Sequence, residues 1–506
     1  MAILDHDYYI LYLWIALLSF MQKRLIYLIL ILLFLVGAYL RISGTSHGFF
    51  AFTFDQGRDL LRVAELVSKK NITLIGPTTG IEGVFHGAWW YWLLIPLYVA
   101  VDGDPQRILI LFGLINSTCI IIAFYLGKEL KDEKTGILAA TLVCVSAYFI
   151  STSAQLWNPN LVPFLLLLWL LSLWKFIHRR ISFFWVGFWL GAVFEFHVGF
   201  GSMLVLACVP ALILYIRPKL KDWLLALSAF GFWILPRVLF DIRNHFLQIK
   251  SLLIYLSGAK ATGEDFIFTR LVHHWDTTTG VFAQAFTNSQ AFLGGVVFCI
   301  VVGFLLSLHK KRTPLTIFIF LTVTIVLGVI TVAAFYRGTL WDYYMVGIPS
   351  LTLPVVTLAL IWLVSQRPRL GVLFVLLLVL QNAPLASILK PTTIADPSVY
   401  DTQLAVVDTL YRDAGGQTFN VQVYSPSVID YSYHYLFSWY GLRTYGYQPD
   451  RENLKRLVYY IVEPDKWHPK IQEAWLRERE GDGHLQWIID VPGGIQIHKR
   501  LRLNIK

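Results

Sequence analysis

The chain has 506 residues, of which 56% are hydrophobic and 15% are charged. A soluble domain averages about 25% charged residues, so the composition excludes an ordinary soluble protein and indicates a polytopic α-helical membrane protein. The formal net charge is +10. Because most of the Lys and Arg residues stand in short connections between apolar runs, we interpret them as topology signals and expect no nucleic-acid partner.

The chain begins with an apolar run, residues 8–20, that is too short to cross a bilayer, since a spanning helix needs roughly 20 apolar residues. This run follows Asp5, His6 and Asp7, whereas a secretory signal peptide starts with basic residues. Met21 then opens the stretch MQKRLIYLILILLFLVGAYL, which has a basic start and an apolar run of full length. We therefore predict that Met21 is the native start.

Further apolar runs of spanning length follow along the chain. The sequence predicts about eleven membrane-spanning helices by run length and loop charge, and the pair 182–197 and 199–216 is the weakest of them because each run is short. The predicted spans lie near residues 25–43, 107–127, 136–152, 160–177, 182–197, 199–216, 223–240, 291–308, 314–335, 343–364 and 370–389.

Two kinds of connection alternate between these predicted spans. One set is short and basic, and the other is longer and of mixed charge. The positive-inside rule places the basic set in the cytoplasm, so we expect a plasma (inner) membrane protein whose long loops and C-terminal region are extracytoplasmic. The basic connections contain Lys23–Arg24, Lys128 to Lys134, His178 to Arg180, Arg217 to Lys221, His309 to Arg312 and Arg367 to Arg369.

The last part of the chain, residues 391–506, is polar and rich in short runs with β-strand character. A helical pattern over 400–412 precedes them, since Leu404, Val407 and Leu410 share one face. We predict a small α/β domain outside the membrane, after a membrane domain over residues 1–390. The β-like runs lie at 419–426, 456–464, 485–492 and 494–500.

The four cysteines lie within apolar runs and show no paired spacing. A disulfide framework or a zinc site is therefore not expected. They are Cys119, Cys144, Cys208 and Cys299.

The first outer loop, residues 44–106, contains the stretch FDQGRDLLRVAELVSK. Its apolar residues recur at helical spacing, which predicts an amphipathic helix on the membrane surface. Asp55 stands just before this helix, at the position of an N-cap, and a cap would also fix its carboxylate for catalysis. We interpret Asp59, Arg62 and Glu65 as the solvated face of the helix, with Asp59 in an ion pair.

A second polar segment of this loop reads FHGAWWYWLLIPLY. His86 stands ahead of a Trp-Trp-Tyr-Trp cluster, which an interfacial aromatic belt would explain equally well. Residues 88–101 predict a helix that is only partly embedded, because a full crossing would invert the charge pattern downstream.

Polar residues recur at the predicted outer ends of later helices. Capping or snorkelling explains any single one of them, but together they predict a polar collar around one outer vestibule. The collar consists of Asn158 and Asn160, Glu195 and His197, Arg237, Asp241, Arg243 and His245, and Arg337, Asp342 and Tyr343.

These outer segments resemble the protein O-mannosyltransferase and aminoarabinose transferase superfamily, which are GT-C class glycosyltransferases of the family 39 type. That family carries an Asp-Glu pair, a helix, and later a Pro-Pro-Leu-x-Tyr-Trp-Leu element. DQGRDLLRVAEL aligns with the first part and FHGAWWYWLLIPLY with the second. The predicted span count and the outer C-terminal domain agree with the resemblance, which covers most of the membrane part.

The sequence departs from the family pattern at four places. Gln56 replaces the usual Glu, Gly87-Ala88 replaces the proline pair, and His86 stands where a lysine is common. Asn158-Pro-Asn160 stands where many relatives have an aspartate. A divalent cation is compatible with the resemblance, but the paired acids that would hold it are missing, so we predict no metal ligands and no firm cofactor.

The resemblance implies an enzyme that moves a sugar from a polyprenyl-phosphate donor to an acceptor on the outer membrane face, with inversion of the anomeric centre. Asp55 is then the base that takes the proton of the acceptor. The implied ligands of the lipid phosphate, which cations stabilise, are Arg58, His86, Arg243, His245 and Arg337. The implied contacts to sugar or acceptor are Asn158, Asn160, His197 and Asp241. A protein hydroxyl, a lipid and a cell-wall glycan are all open as acceptor.

Other function classes predict different patterns. A lipid-sugar transporter predicts charges at the middle of the spans and two related halves, whereas the polar clusters here crowd one face and no internal repeat is found. A membrane anchor for the C-terminal domain predicts fewer spans and simpler loops. A GT-C relative acting as a polysaccharide ligase or polymerase stays open.

Overall fold

The structure is a computed structural model that describes residues 4–257, 267–336, 340–383 and 396–503. Helices make up most of it, and a small sheet follows them. The helices before residue 384 are α1 (Leu4–Ser46), α2 (Phe54–Lys69), α3 (Trp89–Ala100), α4 (Pro105–Ser117), α5 (Cys119–Leu130), α6 (Glu133–Val145), α7 (Ala147–Ser153), α8 (Val162–Ile177), α9 (Phe184–Phe196), α10 (Val198–Tyr215), α11 (Leu220–Arg243), α12 (Leu247–Leu256), α13 (Ile267–Thr287), α14 (Ala291–Leu308), α15 (Pro314–Ala333), α16 (Ile348–Gln366) and α17 (Pro368–Asn382).

In the described part of the chain, eight helical segments are long and apolar enough to cross a membrane. The pair α6 and α7, bent by 58° at a short break, makes a ninth if it is one span. These nine segments match nine of the predicted spans. The other two predicted spans, 182–197 and 370–389, contain the shorter apolar helices α9 and α17, which do not reach spanning length among the described residues. With eight or nine segments of spanning length, the protein is a multi-pass membrane protein.

The bend between α6 and α7 is held by a buried arginine of α1. Helix ends leave carbonyl groups without intrahelical partners, and Arg41 donates to the carbonyl oxygens of Val143 (2.8 Å) and Cys144 (3.4 Å) at the end of α6. It also donates to Gly37 in its own helix (2.9 Å). The guanidinium is 2% exposed, so this cation serves the backbone at the break.

The first outer loop folds as predicted into surface elements. It contains α2, a two-stranded antiparallel sheet of β1 (Ile75–Thr78) and β2 (Phe85–Gly87), and the apolar helix α3. The helix α2 buries one stripe of side chains and exposes the other. The helix α3 lies where a helix was predicted, over 88–101, and its 12 residues are too few to span a bilayer.

Thr53, and not Asp55, is the N-cap of α2. The backbone N–H and the hydroxyl of Thr53 both donate to Gln56 Oε1, at 2.9 and 2.6 Å. The capping role predicted for Asp55 is therefore wrong, because the cap and the helix start lie two residues earlier than predicted, at Thr53 and Phe54. Asp55 lies in the first turn, where the helix dipole favours an acidic side chain.

The C-terminal part forms the predicted small α/β unit. Its sheet has the order β3-β4-β6-β5, with β3 and β4 parallel and the other pairs antiparallel. All four β-like runs and the helix predicted over 400–412 are confirmed. The elements are α18 (Tyr400–Ala414), β3 (Phe419–Tyr424), α19 (Tyr431–Leu436), α20 (Leu442–Tyr445), β4 (Leu457–Val462), α21 (Pro469–Glu478), β5 (His484–Val491) and β6 (Ile495–Leu501).

This C-terminal unit packs directly on the first outer loop. Phe52 N–H donates to the carbonyl of Ser398 (2.8 Å), and Tyr400 N–H donates to the carbonyl of Phe50 (3.0 Å). The rings of Phe50 and Tyr400 stack with centroids 4.8 Å apart. The helix α19 lies along α2, so the start of α2 is held from the C-terminal side.

Gly57 makes the contact between α2 and α19 possible. A Cβ at this position would lie 2.4 Å from the backbone nitrogen of Ser432 and 2.4 Å from the carbonyl carbon of Tyr431. Both neighbours are backbone atoms, which cannot rotate away as a side chain can.

We expect Gly57→Ala to lower the melting temperature of the detergent-solubilised protein. Ala normally stabilises a helix interior over Gly by about 0.5–1 kcal/mol. A fall in melting temperature would therefore come from the clash with the backbone of α19 and not from helix propensity. Gly280→Ala in α13 is the matched control, because no atom lies within 4 Å of its added Cβ. Equal or higher melting temperatures for both variants would contradict this packing.

Candidate active site

One cavity of about 610 Å³ lies between the first outer loop and the adjoining ends of α10, α11, α12 and α15. Its walls are largely apolar, and its polar groups gather at the side of α2 and β2. Six of the ten residues to which the sequence assigned a role line it, and they are Asp55, Arg58, His86, Asn158, His197 and Asp241.

Asp55 and Arg58 form the part of this polar cluster that α2 contributes. Arg58 Nη1 lies 2.9 Å from Asp55 Oδ1, and Asp55 is about one-third exposed. Their spacing of three residues places both side chains on the same face of the helix. The carboxylate of Asp55 is thus both accessible and paired through one of its oxygens.

Asp59 is buried behind Arg58, at 1% exposure. It accepts from Arg58 Nε (2.9 Å) and lies 2.8 Å from Arg58 Nη2. Trp90 Nε1 and the hydroxyl of Tyr91 also donate to it, at 2.7 and 3.2 Å. Burial raises the pKa of Asp59 to about 6, against the opposing effect of Arg58. The prediction that Asp59 lies on the solvated face of α2 is wrong, whereas its ion pair with Arg58 is present.

A second buried ion pair joins α9 to α11. Arg237 Nε donates to Glu195 Oε1 at 2.8 Å, and the two side chains are 14% and 0% exposed. Arg237 Nη1 donates to the carbonyl of Phe85 (2.6 Å) and to Gln248 (3.1 Å). Arg237 Nη2 has no hydrogen-bond partner among the described residues. Arg237 lines the cavity and is its second cation beside Arg58.

The two histidines of the cavity pack edge to face, with ring centroids 5.7 Å apart. His86 Nδ1 accepts from the N–H of Val198 (3.4 Å), and His197 Nδ1 accepts from the N–H of Phe200 (3.1 Å). Burial, with His197 and two arginines nearby, holds the pKa of His86 well below its usual range. His86 is therefore a neutral ring that can donate through Nε2.

An aromatic wall faces the histidines. The rings of Tyr343 and Tyr344 stack at 4.6 Å, and Trp157 meets Tyr343 edge-on at 4.7 Å. Tyr344 also lies 5.7 Å from the ring of His197. These rings and their hydroxyls bound the space in front of Asp55 with surfaces that suit the apolar faces and hydroxyls of a sugar.

Two of the lining residues already serve the fold. Asp241 accepts from the backbone N–H groups of Gln248 (2.7 Å) and Ile249 (3.4 Å) at the start of α12. Asn158 donates to the carbonyl of Phe196 at 2.6 Å. Both side chains border the cavity, but the bonds of Asp241 hold α12 against α11.

Three of the described residues to which the sequence assigned a role are not brought to the cavity. Arg243 and His245 are exposed at the end of α11 and do not line it. Asn160 is buried and donates to the carbonyl of Gln155 (3.1 Å). Arg337 lies outside the described residues.

Whether the site can hold a metal ion depends on how its His, Cys, Asp and Glu side chains are placed. Within residues 4–257, 267–336, 340–383 and 396–503, no group of three His, Cys, Asp or Glu side chains is placed to hold a metal ion. At the family's acid pair, Asp55 is bonded to Arg58, and the amide oxygen of Gln56 is taken up by Thr53. These residues do not fit a cation held by paired acids.

The chain was compared with known proteins by sequence and by structure. No protein-family model and no curated protein matches the chain. The apo structure of ArnT from Cupriavidus metallidurans matches with a TM-score of 0.56 and 9% identity, over 95% of this chain and 98% of that one. The chain has a GT-C fold. The structure of the same ArnT bound to undecaprenyl phosphate matches with a TM-score of 0.55 and 10% identity, over 94% of this chain and 98% of that one.

The fold brings together three charged residues to which the sequence-based prediction gave no role or a wrong position. Arg237 and Glu195 appeared in the polar collar but were given no role, and Asp59 was placed in solvent. The sequence did contain an indication of this pair, because an acid and a base that lie in otherwise apolar helices must pair when they are buried. Which acid meets which base depends on the packing of α9 against α11, and the sequence does not state it.

Removing Glu195 should destabilise the GT-C core strongly. Glu195→Ala leaves Arg237 as an unpaired buried cation, which costs about 3–5 kcal/mol, whereas Glu195→Gln keeps an oxygen for Arg237 and should cost less. Thermal unfolding in detergent measures both. Glu65→Ala is the control, since Glu65 is 40% exposed in its ion pairs and should change little. A Glu195→Ala variant as stable as that control would contradict the role of this pair.

Proposed function

We propose that this protein is a membrane glycosyltransferase that moves a sugar from a polyprenyl-phosphate donor to an acceptor, with inversion at the anomeric carbon. The observation that carries the proposal is the lining of the cavity of about 610 Å³. It combines charged groups, the paired Asp55 and Arg58 and the arginine Arg237, with many apolar side chains of the membrane helices. A donor with a charged head and a long apolar tail has the same two-part character.

The apolar side of the cavity supports a lipid tail. Leu206 of α10, Ile242 of α11 and Leu256 of α12 line the cavity and are each more than half exposed on the protein surface. Side chains that face both the cavity and the surface of membrane helices mark a lateral opening to lipid. That the similar ArnT structure contains undecaprenyl phosphate supports the same class of carrier here.

The arginines support recognition of the phosphate. Arg237 has one nitrogen left over after binding Glu195, Phe85 and Gln248, and a guanidinium suits phosphate oxygens because its planar fork bonds two of them. Arg58 adds positive charge beside Asp55. His86, being neutral, contributes a hydrogen bond through Nε2. These groups are the proposed phosphate site, in place of the exposed Arg243 and His245.

Asp55 is the proposed base. Its Oδ1 is bonded to Arg58, so Oδ2 is the oxygen available to take the proton of the acceptor hydroxyl. The acceptor oxygen bonds to the anomeric carbon as the bond from that carbon to the phosphate oxygen breaks. The electron pair leaves with the lipid phosphate, whose charge the arginines stabilise. The proton ends on Asp55, and attack from the opposite face inverts the anomeric centre.

We further propose that the reaction occurs on the extracytoplasmic face of the inner membrane, with the long loops and the C-terminal unit on that side. The alternating basic connections support this orientation. The contact of the C-terminal unit with α2 would then place it beside the acceptor side of the cavity. A protein, a lipid and a glycan are all suitable acceptors on that face.

Turnover of lipid-linked sugars tests the proposed function. Purified protein is mixed with radiolabelled polyprenyl-phosphate sugars, and release of free lipid phosphate is measured with and without EDTA. We expect release, and because the residues do not fit a metal held by paired acids, we expect EDTA to leave it unchanged. Release of no such lipid phosphate would favour a transporter or an anchor, and transfer of whole glycan chains would favour a polysaccharide ligase or polymerase.

Asp55→Asn should lower the rate of transfer by about 10²- to 10⁴-fold, the range ascribed to a positioned general base, at unchanged expression and melting temperature. Release of lipid phosphate under single-turnover conditions measures it. Glu65→Gln is the matched control, because it changes another carboxylate of α2 that pairs with Arg62 and Lys69 away from the cavity. Wild-type transfer by Asp55→Asn would remove Asp55 as the base.

A further inference from the structure

The carboxylate of Asp59 has more bonds than any other acid of the polar cluster. Two nitrogens of Arg58 and two aromatic donors, Trp90 Nε1 and Tyr91 Oη, contact it at 2.7 to 3.2 Å. It is 1% exposed, so a substrate does not touch it. A surface helix such as α2 does not need a buried carboxylate with four hydrogen-bond contacts in order to fold. Because Asp59 lies directly behind the pair of Asp55 and Arg58, we ask what it does for that pair.

The geometry divides the donors of Arg58 between two acids. Nε and Nη2 face Asp59, and Nη1 faces Asp55 Oδ1. An arginine next to a single carboxylate prefers to bond both of its oxygens through two parallel N–H groups. Because Asp59 occupies two of the nitrogens, Arg58 reaches only one oxygen of Asp55.

The aromatic donors fix Asp59 from a different element. Trp90 and Tyr91 belong to the first turn of α3 and are buried. Hydrogen bonds to a carboxylate favour its charged form, and two donors from a second helix also fix its orientation. The Trp-Trp-Tyr-Trp stretch therefore contributes more than an aromatic belt, since two of its polar atoms hold the acid that holds Arg58.

We infer that Asp59 is a positioning residue that restricts Arg58 to one hydrogen bond with Asp55 and so keeps the second oxygen of Asp55 available as the base. The inference rests on the proposed function. In the absence of the Asp59 charge, Arg58 turns and bonds both oxygens of Asp55. A doubly bonded carboxylate is a weaker base and is turned away from the acceptor.

Asp59→Asn tests this directly. The amide oxygen still accepts from Trp90 or Tyr91, but the charge that holds Arg58 is gone. We expect kcat to fall about 10- to 100-fold, as misplacement of a reacting group does, with little change in the KM for the lipid donor. Arg62→Gln is the matched control, because it removes an exposed ion pair of the same helix and should leave kcat unchanged.

The pH dependence separates positioning from a purely structural role. The groups that face Asp59 are Arg58 and Asp55 from α2 and Tyr91 from α3. Asp59 acts as an anion, so its effect is complete above its pKa and is lost as the pH falls through that value. Wild-type kcat should fall in a step near pH 6, the pKa of Asp59, and Asp59→Asn should lack that step. Tyr91→Phe, a milder variant if Asp59→Asn does not fold, should move the step to higher pH.

A second readout does not depend on turnover. The reaction of Asp55 with a water-soluble carbodiimide, followed by mass spectrometry of its peptide, should be several-fold slower in Asp59→Asn because Arg58 then covers both oxygens. Unchanged labelling, wild-type kcat or a retained step of kcat near pH 6 in Asp59→Asn would overturn the inference. If wild-type protein releases no lipid phosphate, the proposed function fails, while the labelling still decides what Asp59 does to Asp55.

Discussion

Every charge buried beside the cavity has to be paired with an opposite charge or hydrogen-bonded, and this requirement determines how the surrounding elements meet. Arg58 is held by Asp59, and Arg237 by Glu195. An isolated ion in an apolar setting is costly enough that its partner must be present whenever the protein is folded. Each pair therefore acts as a fixed contact. The first ties α2 to α3 through the aromatic donors to Asp59, and the second ties α9 to α11 and to the first residue of β2.

The membrane imposes the other half of the design. Spanning helices can expose apolar side chains to lipid without the free-energy cost that exposure to water would bring. A cavity between such helices can therefore have apolar walls that open toward the lipid. The polar groups are confined to the end where loops meet the helices. A substrate with separate polar and apolar parts can satisfy both sides of such a cavity, which a soluble sugar or a free lipid could not. The same separation explains why cations near the cavity are few and individually paired.

The sequence predicted the fold better than the site, for physical reasons. Apolar run length and strand alternation are local properties, so the spans and the C-terminal strands could be predicted, and Asp55 and Arg58 followed from their place after the first span. The burial of Asp59 could not be read from its charge, although it lies three residues after the buried Gln56, on the same stripe of α2. Arg243 was grouped with Arg237 by proximity in the chain, but six residues of helix turn by roughly 600°, which points the two side chains in different directions.

The segment that starts α2 leaves little freedom for the two residues that face the cavity. Thr53 and Gln56 close the helix end on themselves, and Gln56 also donates to the carbonyl of Leu156. Gly57 is in contact with the backbone of α19, and Asp59 is bonded to α3. With these neighbours fixed from three directions, α2 cannot shift to admit a substrate without breaking buried hydrogen bonds. In the proposed reaction, the donor and the acceptor would therefore both have to come to Asp55, from the lipid side and from the C-terminal side of the cavity respectively.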